Sequence, residues 1–170
     1  MRPYLFYLTM ILIVTTNSLL AQSNPYENDV KTIDALIKAS YEIVSGEKGA
    51  QRNWERDTHL HHPKVVYSYL SQSKGEQLTM TLKEFQQATD EMVAQTAFYE
   101  SEVNREVRVF GNMAQVWSTY ETRLEKGGKV VRRGINSLQL IYENNRWYII
   151  SWVFCGESEN TPIPRTFDKN

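Results

Sequence analysis

The chain has 170 residues, enough for one domain with a sizeable core and too short for two comfortable ones. Its 19 Lys+Arg and 20 Asp+Glu leave a net charge of -1, which gives no electrostatic ground for expecting nucleic acid or an anionic membrane as partner. Cys155 is the only cysteine, so no intrachain disulfide is available and stability must come from a hydrophobic core.

The first residues, MRPYLFYLTMILIVTTNSLLAQ, stand apart from that core. Arg2 supplies a positive start, Leu5 to Val14 an apolar stretch, and Leu19-Leu20-Ala21 a small-residue cleavage site before Gln22. That is the pattern of a signal peptide over residues 1–21. Thr15, Thr16 and Asn17 interrupt the apolar run too soon for a membrane span. The expectation is an exported protein, periplasmic or secreted, with no membrane attachment after cleavage.

Residues 22–28 are polar and read as a flexible leader. From Asp29 to Ser45 the apolar positions Val30, Ile33, Leu36, Ile37, Tyr41 and Val44 recur at helical spacing, and Gly46 stops them. Gly49 to His61 reads as a second helix carrying Trp54, ended by Pro63. Val65 to Leu70 follows as a strand and Ser71 to Glu76 as a turn. Thr81-Leu82-Lys83-Glu84 matches a capping box, which opens a third helix reaching Ala94.

From Phe98 the period becomes two. Val103, Val107 and Val109 alternate up to a hairpin turn at Gly111-Asn112. Ala114, Val116, Ser118 and Tyr120 then share one strand face, with Trp117 and Thr119 on the other. After a turn at Gly127-Gly128, the stretch VVRRGINSLQLIYENNRWYIISW places two apolar-rich arms around Asn144-Asn145, a pair that tolerates positive φ. Residues 158–170, with Pro162 and Pro164, read as an extended tail. Helices first and strands after indicate an α+β domain over residues 29–157. In it a curved antiparallel sheet packs against three N-terminal helices.

Three groups of residues carry chemistry. Asp57 and His61 are four apart, so on a helix they share a face, and a carboxylate there would orient the imidazole as a proton carrier. His59, His61 and His62 cannot all converge on one ion from a helix or a strand, so no metal site is expected. Trp54, Tyr67, Tyr69, Trp117, Tyr120 and Trp152 would form an apolar ligand wall if they line a concave surface, with about half expected to touch a cavity. Arg133, Asn136 and Gln139 are polar groups inside a strand. Arg133 and Gln139 share a parity that Asn136 lacks, and a bulge at Gly134 would turn Arg133 inward, where it suits a carboxylate or enolate. Glycine-rich phosphate loops, CxxC pairs and a serine nucleophile elbow are absent from the sequence, which argues against nucleotide chemistry.

Three segments carry a family resemblance: SGEKGAQRNWER at 45–56, FGNMAQVW at 110–117, and RGINSLQL at 133–140 followed by RWYIISW at 146–152. The chain resembles the nuclear transport factor 2-like (NTF2-like) superfamily, in particular its polyketide-cyclase-like and ketosteroid-isomerase-like members. The resemblance implies a cone-shaped sheet closed by three helices around a pocket, used by different members for isomerisation, cyclisation, dehydration, binding or protein contacts. It makes Tyr41 a helix-one tyrosine and a further candidate proton carrier. No pair of Asp residues matches the isomerase pattern, and Asn53 stands where kin often carry an acid. The combined expectation is a cofactor-free exported domain with a pocket for a small apolar or amphipathic molecule. Acid/base catalysis in that pocket is one alternative, and a homodimer through the outer sheet face with a vestigial pocket is the other.

Overall fold

The computed structural model describes residues 24–71 and 75–168; the expected signal peptide lies outside them. Three helices, α1 (Ile33–Val44), α2 (Trp54–Leu60) and α3 (Leu82–Val93), pack on one face of a six-stranded sheet. The strands are β1 (His61–Ser71), β2 (Glu76–Met80), β3 (Tyr99–Phe110), β4 (Met113–Arg123), β5 (Arg132–Glu143) and β6 (Arg146–Gly156). Their spatial order is β2-β1-β6-β5-β4-β3. The sheet is open, and it is mostly rather than wholly antiparallel, because β1 runs parallel to β6. No helix among the described residues is long and apolar enough to cross a membrane.

Each helix starts on a capped amide. Thr32 Oγ1 accepts from Ala35 N–H, Asn53 from Arg56 N–H, and Thr81 with Glu84 forms the reciprocal capping box. The second helix is shorter than its sequence suggests. Arg52 is buried, and its guanidinium donates to the carbonyls of Val44, Gly46 and Ala50, holding residues before Trp54 in a loop. Gly49, at φ 71°, belongs to that loop. The helix ends one residue early as well, since His61 is already extended. Pro63 therefore lies inside β1, in the irregular stretch between the His61 and Val66 pairings where no ladder bond is asked of it. β2 pairs with β1 from Glu76↔Ser71 to Met80↔Tyr67, a strand its mixed polar sequence does not announce.

The Asn144-Asn145 hairpin forms with φ of 53° and 62°. On the concave face, β4 presents Ala114, Val116, Ser118, Tyr120 and Thr122 opposite Leu140, Leu138, Asn136, Gly134 and Arg132 of β5. Val30, Leu36, Ile37, Leu60, Val116, Leu138, Leu140 and Ile149 fill the core between that face and the helices. Register shifts interrupt the β3–β4 ladder after Glu102 and the β5–β6 ladder after Gln139, irregularities of the kind that let strands bend. The C-terminal segment folds back over the outer face. A short turn at Arg165–Phe167 sets the Phe167 ring 5.1 Å from Trp117, while Thr119 Oγ1 donates to Phe167 O and Arg133 pairs with Asp168.

Candidate functional site

Between the concave face and α3 lies a cavity of about 270 Å³. Its walls come from α1 (Ser40, Tyr41, Val44), Asp57 of α2, α3 (Phe85, Ala88, Thr89, Met92), Phe98 and the concave residues of all six strands. The aromatic end is ordered by stacking: Tyr67 lies 4.2 Å from Phe85 and 5.7 Å from Trp152, and Tyr69 lies 4.9 Å from Phe154, with every pair within 12° of parallel. The other end is polar, formed by Glu100, Tyr120, Arg132 and Asn136.

Of the residues expected to bind a ligand, Tyr67, Tyr69, Tyr120, Asn136 and Trp152 line this cavity. Trp54 does not, because its indole N–H is spent on Asp90 at 3.0 Å, which ties α2 to α3. Trp117 stands on the outer face under Phe167. Arg133 is also outside, among Glu121, Glu157 and Asp168. β5 keeps a regular register through Gly134, so nothing turns Arg133 inward, and its neighbour Arg132 reaches the cavity instead.

The expected proton carriers are already committed. Asp57 is buried, its carboxylate accepting from the Gln86 amide at 2.9 Å. His61 Nδ1 lies 2.7 Å from the backbone carbonyl of Asp57 and 3.6 Å from its carboxylate, so the carbonyl orients the ring. A carbonyl only accepts, so Nδ1 carries the proton, and Nε2 accepts from Tyr67 Oη at 2.7 Å. Burial holds His61 below its usual range despite Asp57, consistent with that neutral tautomer, and pushes Tyr67 well up. His59 and His62 point elsewhere, His59 to Asn24 and Arg146, His62 to Lys64 N–H and the Tyr148 edge.

Tyr41 is committed in the same way. Ser118 Oγ donates to Glu102 Oε1 at 2.5 Å, which uses its only proton. The 2.6 Å contact between Tyr41 and Ser118 must then have Tyr41 as donor, while Asn136 Nδ2 donates to Tyr41 Oη at 3.0 Å. Burial, with Glu100 and Glu102 nearby, pushes the Tyr41 phenol up. A phenol that gives its proton away and is hard to ionise does not serve as the acidic tyrosine of an isomerase.

Glu100 is the group that sequence reasoning missed. Burial pushes its carboxyl up to about 7, against the lowering influence of Arg132, Thr122 and Asn136. It also borders an open groove of about 940 Å³ on the α1 side, so Glu100 and Tyr41 form the wall between cavity and groove. The alternation of Val107 and Val109 points away from Glu100, because the extra residue at Val103 switches the strand's parity between them.

No protein-family model and no curated protein matches this sequence. Solved structures do match. An NTF2-like protein of unknown function from Silicibacter pomeroyi is 18% identical with a TM-score of 0.53, covering 73% of this chain and 92% of that one. A protein of unknown function with a cystatin-like fold from Nostoc punctiforme is 12% identical, with a TM-score of 0.60 and coverage of 75% and 90%. A protein provisionally assigned as a ketosteroid isomerase, from Parabacteroides distasonis, is 16% identical with a TM-score of 0.53, covering 75% and 89%. The fold is NTF2-like.

Proposed function

We propose that this chain binds a small, mostly apolar molecule with one polar end inside the cavity. The observation that carries the reading is the division of the cavity into a wall of parallel aromatic rings and a compact polar end. The test is a titration with anilinonaphthalene sulfonate. Its emission is expected to rise to saturation at one probe per chain, and the Ala88→Trp variant, which plugs the cavity from α3, is expected to abolish the rise. Equal binding by both proteins would remove the cavity from consideration.

One observation favours a second reading, acid/base catalysis. A carboxyl poised near 7 inside a cavity suits proton transfer at neutral pH. On that reading Glu100 carries the proton, since Asp57, His61 and Tyr41 are held by fixed partners. Its test is solvent-deuterium exchange into enolisable ketones, lost in Glu100→Gln while probe binding persists.

A further inference from the structure

The cavity holds three buried tyrosines, and two have spent their hydroxyl protons, Tyr41 on Ser118 and Tyr67 on His61. Tyr120 differs. It is 3% exposed, yet among the described residues its hydroxyl has no hydrogen-bond partner. Gly134, directly across the ladder, makes room for it: a Cβ at that position would stand 2.4 Å from Tyr120 Oη and 2.3 Å from Cys155 O. The hydroxyl is thus given space without a partner, in a wall of the cavity. The ring is buried and the hydroxyl opens to the cavity, where a ligand group can meet it.

Arg132 lines the same end. The residue is exposed, and among the described residues its guanidinium has no hydrogen bond and no carboxylate within 4.0 Å, standing 6.0 Å from the Phe98 ring centre. It lies close enough to Tyr120 and Glu100 to bias both. Among the described residues the Tyr120 phenol and the Arg132 guanidinium are donors without a partner, and the acceptor that lines the same end, the Glu100 carboxyl, already takes a bond from Thr122 Oγ1. An amine would meet the Arg132 charge, and a ketone would leave it unneutralised. A carboxylate answers both groups, with a lone pair left for the acid form of Glu100.

We infer that the cavity takes a monocarboxylate with a flat apolar body, its carboxylate seated between the Tyr120 hydroxyl and the Arg132 guanidinium and its body against the parallel rings of Tyr67, Phe85 and Trp152. The inference rests on the binding function proposed above and specifies its ligand class.

The test is calorimetry on protein purified from its own host, with three probes that share one planar body: cinnamate, benzylideneacetone and cinnamylamine. Cinnamate is expected to bind about tenfold or more tightly than the other two. Tyr120→Phe and Arg132→Gln are each expected to weaken cinnamate about fivefold while leaving benzylideneacetone within about twofold. Neither change removes a contact the fold depends on, and circular dichroism would verify that both variants fold. If the three probes bind alike, or the ketone binds best, the carboxylate assignment is overturned while the cavity reading stands. If none of the three binds while anilinonaphthalene sulfonate does, or the amine binds best, the carboxylate assignment is likewise overturned; if that probe fails as well, both readings are overturned.

Discussion

Tyr41 and Tyr120 look equivalent in a sequence and have opposite circumstances in the fold. Removing the Tyr41 hydroxyl costs the Ser118 oxygen a donor and the Asn136 amide an acceptor, so Tyr41→Phe is expected to cost about 1–3 kcal/mol in urea unfolding. Tyr120→Phe breaks no hydrogen bond and is expected to change stability by less than about 0.5 kcal/mol. A large cost at Tyr120 would mean its hydroxyl has a structural partner after all. Glu100 faces Tyr41 from α1, Tyr120 and Thr122 from β4, and Arg132 and Asn136 from β5. Its carboxyl is raised from 4.5 to about 7 in the fold, so the folded state favours the protonated form. The associated stability is complete below pH 4.5 and is lost as pH rises through about 7. Glu100→Gln removes this dependence. The variant's stability minus that of the natural protein is expected to grow by up to about 3 kcal/mol across that window. A difference that stays flat with pH would place Glu100 in solvent.

At the scale of elements, legibility followed local signals. The capping box at Thr81 marks α3 because the two reciprocal bonds are written in adjacent residues, and Thr81→Ala is expected to lower stability by about 1 kcal/mol in thermal unfolding. The Asn144-Asn145 hairpin and the concave face of β4 were legible for the same reason: a turn type and a period of two are local facts. What was not legible depended on distant partners. The start of α2 is delayed by Arg52 capping carbonyls up to eight residues earlier in the chain. β2 is a strand only because β1 lies beside it. Arg133 and Arg132 differ by one residue and stand on opposite faces, so the expected arginine chemistry belongs to the neighbour. Gly134 gives the Tyr120 hydroxyl its room. Gly134→Ala is expected to cost about 1–3 kcal/mol, since the added Cβ meets backbone as well as the Tyr120 hydroxyl.

The whole molecule is an NTF2-like frame in which three helices and a bent sheet leave space that the side chains do not fill. The frame leaves activity undecided. What individualises this chain is the lining: hydroxyls on α1 and β1 locked into hydrogen-bond chains, and an unlocked donor pair beside a protonatable carboxyl on the far strands. The outer face is partly covered by the chain's own C-terminal segment, with Phe167 on Trp117 and Asp168 on Arg133. Native mass spectrometry of the protein isolated from its own host tests the central claim most directly. The account predicts a one-to-one adduct of a small molecule that is released on denaturation and absent from the Ala88→Trp variant. An adduct retained unchanged by that variant would contradict it.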